Sequence, residues 1–510
     1  MAPRSPATDP GRKVVRVVFI ALLLDLLAFT MPLPLFPRLI EDFVHQEALQ
    51  PSPTPTLLSR TLFAVRSLRS YLFSFASSSS QPVFPEQWDL TILGGLLAAL
   101  FSFCQYLLSP FLGRLSDRYG RKRVLLTTMI GNLASAALWL RADSFGLYAL
   151  SRIVGGLSEG NVQLSIACIT DVTSPATRSR SLALVGMAFA GAFVIGPPLG
   201  AWLASRTIGR LSTIALPPFL HTLGLPGEVQ LNAYAVPAAI TLALLALETV
   251  YLALYLPETK GWAKNSDEAA SGEKSAPIAA NAAAPRSAAE RLARLRQLER
   301  IHFFFLLFFA GAEFTLCFLT HNLFSFSNLD NGRLLGFVGI LSSLLQGGYV
   351  RRKASSSART ASLALSGIRT CAVSLALLAL LPYLTSAGRE GGAKKALWAA
   401  AAGLAYVSAT VVNSLNALAS FETDPEPSST ASSSTASQDP RLEKGAALGR
   451  FRSRGQLGRA LGPLVTTAIY FTLSPAWAYG ICAVGVLGVA GLMGTVVREE
   501  RRQARQGKRE

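Results

Sequence analysis

The sequence predicts an all-α integral membrane protein with about twelve transmembrane helices in two six-helix halves. Half of the 510 residues are hydrophobic and only 15% are charged, and the mean hydropathy is positive, at 0.37. The apolar runs are about 20 residues or longer, which is enough to cross a hydrocarbon core of about 30 Å as helices. The predicted spans cover residues 14–40, 89–112, 124–141, 145–171, 180–204, 233–257, 301–325, 331–350, 361–384, 395–420, 446–472 and 475–497.

The positive charges predict the orientation of these spans. The net charge is +18, and the Lys and Arg residues concentrate between the apolar runs, most densely in GRLSDRYGRKRVLL at 113–126. Because cytoplasmic loops carry an excess of Lys and Arg, both termini are predicted to be cytoplasmic. The charge is not gathered on an amphipathic or aromatic-rich surface, which argues against nucleic-acid binding. The expected surroundings are the lipid bilayer of the plasma membrane or of an organelle.

The longest polar segment divides the chain into two sets of six spans, the layout expected of a transporter whose halves rock around a central site. Two further polar insertions interrupt the halves, one external and one cytoplasmic and rich in Ser. The predicted segments are a cytoplasmic tail at 1–13, an N-terminal half at 14–257 with a long external loop at 41–88, a cytoplasmic linker at 258–300, a C-terminal half at 301–497 with a low-complexity cytoplasmic loop at 422–440, and a basic cytoplasmic tail at 498–510.

The polar segments carry no sign of enzymatic chemistry. They contain no nucleophile–base set, phosphate-binding loop or metal cluster, so the sequence predicts no enzyme, no cofactor and no bound metal. The five cysteines lie inside apolar runs without a CxxC pair. They are predicted to be small packing residues.

The basic turn at 113–126 has a compact internal pattern. Gly113 and Gly120 allow a tight link between two helices. Asp117 is a single acid among basic residues that include Arg118 and Arg121. Orientation and solvation account for the arginines, but not for glycines and an aspartate at this spacing. The turn resembles the signature G-x-L-S-D-R-x-G-R-K/R between spans two and three of the major facilitator superfamily, and it matches that signature at every position.

Three other segments carry the same resemblance. Span one, with Asp25 in LLLDLLAFTMPLPLFPRL, is similar to drug/proton antiporters of the tetracycline type. In span four, SRIVGGLSEG contains Arg152, and DVTSPATR resembles the family's end of that span at Asp171 and Arg178. In span five, GPPLGA resembles the antiporter motif. Its matching residues are Gly196, Pro197 and Gly200.

The resemblance is strongest to eukaryotic tetracycline transporter-like proteins, which share EFTLCFLTH in span seven and RSRGQLGRALGP in span eleven. It covers nearly all of the spans and leaves out the long loops. It implies that Asp117 lies against the start of span eleven, and that Arg118 or Arg121 pairs with Asp171. Those contacts would hold the cytoplasmic side closed.

Several ionisable side chains are predicted at membrane depth, where a charge must pair, take up a proton or face water. Asp25 lies in span one, and Arg152, Glu159 and Gln163 are spaced to share one face of span four. Two interpretations stay open for Asp25 and Arg152: each fixes helix packing, or each contacts protons or solute. Span seven carries Glu313 and span eleven carries Arg459. These two either neutralise each other or belong to the site. The span-five glycines are compatible with close helix packing as well as with gating.

The leading functional prediction is a secondary active transporter that works as a monomer by alternating access. Protons would drive efflux of an amphipathic small organic solute, a drug or an organic anion. One alternative is a facilitative or import transporter of a sugar-like metabolite, because YLPETKG at 255–261 resembles a sugar-porter signature. Another is a membrane scaffold without transport, against which the charges inside both halves argue.

Overall fold

The structure is a computed structural model dominated by long helices. It describes residues 10–32, 35–49, 54–74, 85–207, 213–215, 228–230, 234–262, 286–354, 356–424 and 439–506. The helices of the N-terminal part are α1 (Pro10–Thr30), α2 (Phe36–Leu49), α3 (Leu57–Ser74), α4 (Pro85–Tyr119), α5 (Arg121–Leu140), α6 (Phe145–Ser158), α7 (Asn161–Val172), α8 (Pro175–Thr207) and α9 (Ala235–Tyr255). Those of the C-terminal part are α10 (Ala288–Phe324), α11 (Asn328–Leu344), α12 (Ser357–Ser386), α13 (Glu390–Phe421), α14 (Lys444–Thr472) and α15 (Pro475–Gln506).

Shorter elements complete the described chain. A π-helical segment at Leu345–Val350 and a helical turn at Arg351–Lys353 extend α11, and a 3₁₀ turn at Pro440–Leu442 precedes α14. Between α8 and α9, two antiparallel three-residue strands, β1 (Thr213–Ala215) and β2 (Glu228–Gln230), pair with each other. They are too small to change the helical class of the fold.

Nine helices in the described part of the chain are long and apolar enough to cross a membrane. The other predicted spans correspond to α1, to the pair α6 and α7, and to α14. Basic residues near the start of α1 and along α14, and the interruption between α6 and α7, account for their weaker signal. With these three the predicted count of twelve spans is reached, and the prediction of an all-α multi-pass membrane fold is confirmed.

Span four is two helices rather than the one that the apolar run predicts. α6 ends at Ser158, Glu159 has an extended backbone with ψ 91°, and α7 begins at Asn161 after Gly160. Irregular backbone at membrane depth is tolerated where it is enclosed by protein or lines a cavity.

α10 begins earlier than the apolar run of span seven. Ser287 accepts a hydrogen bond from the backbone N–H of Glu290, and the Glu290 carboxylate accepts one from the backbone N–H of Ser287. This reciprocal capping box stabilises a helix start at Ala288, inside the polar segment 258–300. Arg286, just before the cap, pairs with Glu422 and Glu500 at the ends of α13 and α15. Burial raises the pKa of Glu422, and the pairing with Arg286 acts against that rise.

Glycines let α1 and α8 approach closely inside the N-terminal part. A side chain at Gly196 would overlap with Thr30 Oγ1, and one at Gly200 would overlap with the carbonyl of Met31. The Thr30 hydroxyl donates to the Ala192 carbonyl at 3.0 Å across the same contact. The antiporter-like segment GPPLGA thus packs directly on the end of span one, and α8 stays helical through Pro197.

We expect Gly200→Ala to lower the midpoint of thermal unfolding in detergent, because overfilling a packed contact costs about 1–3 kcal/mol. Gly336→Ala in α11 is the matched control, since a Cβ there meets nothing within 4 Å. Equal midpoints for the two variants would show that the α1–α8 contact relaxes without cost.

Candidate functional site

A cluster of polar side chains forms where span four is interrupted. The Asp25 side chain of α1 is buried, and its Oδ1 accepts a hydrogen bond from Asn161 Nδ2 at 2.8 Å. Glu159, in the interruption itself, accepts a hydrogen bond from Asn132 Nδ2 of α5 at 3.5 Å. Because Asn161 is the first residue of α7, the break in span four is what brings it to Asp25. Two of the predicted acids therefore share one polar cluster.

Arg452 of α14 provides the positive charge opposite these acids. Its guanidinium interacts electrostatically with both Asp25 and Glu159. Its Nε is buried and has no hydrogen-bond partner among the residues that the structure describes. A base of the C-terminal part thus faces two acids of the N-terminal part. Sequence reasoning singled out Arg459 in RSRGQLGRALGP and missed Arg452, although the two stand seven residues apart in the same segment.

A third acid, Glu248 of α9, joins the cluster and was also missed. It is buried, interacts electrostatically with Asp25 and Glu159, and its Oε2 has no hydrogen-bond partner in the described part of the chain. The sequence did contain a signal for this residue, because Glu248 is the single acid in the apolar run 233–257. Glu248 thus adds a third carboxylate beside Asp25 and Glu159, the two acids that interact with Arg452, and leaves an excess of negative charge in a poorly solvated place.

Glu313 and Arg459 form a second, looser pair. Glu313 Oε2 and Arg459 Nη2 are 3.9 Å apart, and their side chains remain 48% and 42% exposed although both lie mid-helix. These two side chains therefore do not lie in packed core. Arg459 also interacts electrostatically with Arg452, which places this pair next to the buried cluster.

Arg152 and Gln163 have different surroundings. The Arg152 guanidinium lies over the ring of Tyr148, 5.2 Å from its centroid, and Gln163 Nε2 donates to the Ser109 carbonyl of α4 at 3.1 Å. The expectation of a common face for Arg152, Glu159 and Gln163 assumed one continuous helix. Because α6 ends at Ser158, the helical phase is lost between them and the spacing no longer aligns them.

The segment 113–123, predicted as a turn, is the end of α4 and the start of α5 with Gly120 alone between them. It joins the two parts at one end of the bundle, which we call the motif end. The Asp117 carboxylate accepts hydrogen bonds from the backbone N–H groups of Gly445 and Ala446, at 2.9 and 2.7 Å. Both N–H groups belong to the first turn of α14, where an anion is favoured by unpaired donors and by the helix dipole. A side chain at Gly113 would overlap with the Gly445 carbonyl, so this glycine permits the contact.

Arg121 connects the turn to the end of span four. Its guanidinium pairs with Asp117 at 2.6 Å and with Asp171 at 3.0 Å. Of the two arginines expected to reach Asp171, it is Arg121 that does so, while the Arg118 guanidinium lies over the ring of Tyr119. Asp171 is contacted from the other part of the chain as well, by Lys444 at 3.3 Å.

The PETKG segment has a structural role at the same end. Glu258 accepts hydrogen bonds from the backbone N–H groups of Arg121 and Lys122, at 2.7 and 3.2 Å, and so caps the start of α5. Gly120 allows this approach, since its φ is +102° and a Cβ there would overlap with the Glu258 carboxylate. The segment that resembles a sugar-porter signature is therefore explained by local capping.

Arg178 makes a second junction between the parts at the motif end. Its guanidinium is almost completely buried and bonds both carboxylate oxygens of Asp424, at 2.6 and 2.8 Å. It also donates to the carbonyls of Ser420, Thr170 and Thr173. The start of α8 is thereby tied to the end of α13. With Asp117 on α14, two separate contacts join the N-terminal and C-terminal parts at the motif end.

These features define a membrane transporter with paired helical parts around a charged centre. A family model described as the Major Facilitator Superfamily matches residues 18–438, and the chain belongs to that family. The family and the fold indicate a transporter rather than an enzyme. In the described part of the chain, no group of three or more His, Cys, Asp or Glu side chains is placed to hold a metal ion.

Individual relatives agree with the tetracycline transporter-like resemblance. The chain is 32% identical over 483 residues to major facilitator superfamily domain-containing protein 10 of Homo sapiens, covering 92% of this chain and 90% of that one. The class E tetracycline resistance protein of Escherichia coli is 32% identical over 133 residues, which is 26% of this chain and 31% of that one. The crystal structure of the human organic anion transporter MFSD10 (TETRAN) matches with a TM-score of 0.71 and 27% identity, covering 95% of this chain and 99% of that one.

We expect Asp117→Asn to shift the bundle away from closure at the motif end, because the substitution removes one acceptor and the charge at the start of α14. The cost is about 1 kcal/mol, or about fivefold in the population of the closed state. Spin labels at the exposed positions 123 and 441, in a background without the native cysteines, would report it as a longer distance. Asp143→Asn, at an exposed loop position, should leave the distance unchanged. An unchanged distance in Asp117→Asn would remove Asp117 from the closing contact.

Arg178→Lys should open the motif end in the same measurement, although it keeps the charge. A lysine cannot reproduce the two-oxygen contact with Asp424 or reach three carbonyls at once. Arg180→Lys is the matched control, since Arg180 is an exposed residue two positions away. Identical distance distributions for the two variants would contradict the role of Arg178 as a junction.

Proposed function

We propose that the chain is a secondary active transporter that moves amphipathic organic solutes, organic anions first among them, by proton-coupled efflux. The observation that carries this proposal is the central cluster, in which Asp25 and Glu159 of the N-terminal part face Arg452 of the C-terminal part. The proposed halves remain 14–257 and 301–497, joined by the linker 258–300. They would work as a monomer, with the motif end and both termini in the cytoplasm.

The cluster supports coupling to protons because it links proton and solute binding through one guanidinium. While Asp25 and Glu159 are ionised, they neutralise Arg452. When they take up protons, the positive charge of Arg452 is available to another anion. The proton and the anionic solute would thus change the same charge balance, so the binding of each would change the affinity for the other by the same factor. Glu248 adds a further carboxylate to this balance.

The organic-anion class is supported from two directions. Arg452 and Arg459 both belong to α14, so the C-terminal part contributes cations to the centre of the bundle. The similar human protein of solved structure is described as an organic anion transporter. Efflux as the direction is supported by the antiporter-like segment of α8 and by the similarity to a tetracycline resistance protein. A sugar-like solute loses its main support because Glu258 caps α5.

The test is proton movement in proteoliposomes that hold the purified full chain and a pH-sensitive dye. A panel of organic anions and tetracyclines would be added to wild type, Asp25→Asn and Glu159→Gln, with Asp143→Asn as the exposed control. We expect solute-dependent proton flux in wild type and in the control, and a loss of at least about tenfold in either cluster variant.

The sign of the flux tests the direction. Solute and proton moving in opposite directions would support efflux by exchange. Movement in the same direction would overturn the efflux half of the proposal and leave coupling in place. Solute movement without any proton flux would refute coupling and make Asp25 and Glu159 structural or solute-binding residues.

A further inference from the structure

A cavity of about 240 Å³ lies away from the buried cluster, between α3, α4, α10 and α14. Its lining is apolar apart from two threonines. Ala64 of α3, Gly95 of α4, Phe314 of α10 and Pro463 of α14 mark its four walls. Since α3 belongs to the insertion 41–88, the cavity is built partly from a segment that lies outside the family resemblance.

One polar atom beside this cavity lacks a hydrogen-bond partner among the described residues. Thr467 is 3% exposed, yet its hydroxyl forms no hydrogen bond with any residue that the structure describes. Threonines in helices commonly donate to the carbonyl one turn earlier, as Thr472 does to Ala468 at 2.7 Å in the same helix. An unpaired buried hydroxyl is unfavourable, but this oxygen is enclosed by the protein, so the wall that the cavity offers to a ligand is almost entirely apolar.

The cavity continues the face of α14 that carries Arg459. Arg459, Pro463 and Thr467 are four residues apart in turn and so lie along one side of the helix, with Arg459 and Thr467 separated by about 12 Å of helix rise. On α10, Glu313 directly precedes Phe314. The half-exposed pair Glu313–Arg459 is not part of the lining, but Arg459 lies about one turn of α14 from the wall residue Pro463.

We propose that this cavity is a subsite for the apolar end of the transported solute, an aryl-alkyl anion whose carboxylate pairs with Arg459. The assignment rests on the proposed function, because it takes the solute to be an amphipathic organic anion. A dry apolar cavity of about 150 Å³ is large enough for benzene, so this one accommodates a phenyl ring with a short alkyl segment. α3 is then a wall of the solute site, and Arg459 is the residue that holds the anionic end.

The experiment is equilibrium binding of ω-phenylalkanoates, from phenylacetate to 8-phenyloctanoate, to the purified full chain by titration calorimetry without a proton gradient. In wild type the affinity should rise by about fourfold for each added methylene once the ring begins to enter the cavity. Arg459→Gln should weaken every probe by a similar factor and keep the rise, because it removes only the contact with the carboxylate.

Filling the cavity should abolish the rise in affinity with probe chain length. Ala64→Trp on α3 and Ala468→Leu on α14 fill it from two different helices. If one of these variants does not fold, the other still provides the test. Both should bind phenylacetate as wild type does and show no gain with chain length. Phe63→Trp is the matched control, because Phe63 is 73% exposed on the same helix, and it should keep the full rise.

Three results would overturn the subsite. The first is that affinity still rises with chain length in both filled variants, and the second is that no probe binds to wild type. The third is that the filled variants lose a co-purified lipid while their affinity for the probes is unchanged, which would assign the cavity to a lipid acyl chain. The assay needs no gradient, so it separates the two proposals. If affinity rises with probe chain length but no proton flux is seen, proton coupling is refuted and the subsite is retained.

Discussion

The contact between the Asp117 carboxylate and the first turn of α14 is the interaction on which the rest of the structure depends. It places a negative charge on two unpaired N–H groups at a helix start and at the same time holds Arg121, which reaches Asp171. One carboxylate thus joins the turn, the end of span four and the start of span eleven. The glycines at 113 and 445 make the approach possible, since a side chain at either position would overlap with the other's backbone.

The same helices connect this contact to the charged centre. α7 begins at Asn161, beside Asp25, and its residue Asp171 lies about 15 Å further on, at the motif end. α14 begins at the Asp117 contact and carries Arg452 about 12 Å from its start. The charged centre and the contact at the motif end therefore share two helices, α7 and α14.

The membrane imposes the second constraint, because polar groups inside it must be satisfied by the protein. The interruption of span four meets this constraint by turning Asn161 toward Asp25 and placing Glu159 near Arg452. Glu248 and Arg452 satisfy it less completely, since each retains a buried polar atom without a hydrogen-bond partner in the described residues.

The sequence by itself determined the helical membrane class, the twelve spans and the family, because length and hydropathy of apolar runs are local properties and the turn motif is a contiguous string. It also indicated Asp25 and Glu159, since an acid in an apolar run is visible without a structure. Only the tertiary structure decided which charges meet. Arg452 and Glu248 join the cluster through packing between helices that are distant in sequence, and Arg178 reaches Asp424 across 246 residues. The break at Glu159 was not predicted either, because the short polar stretch at 158–161 lies inside a run that is apolar enough to read as one span.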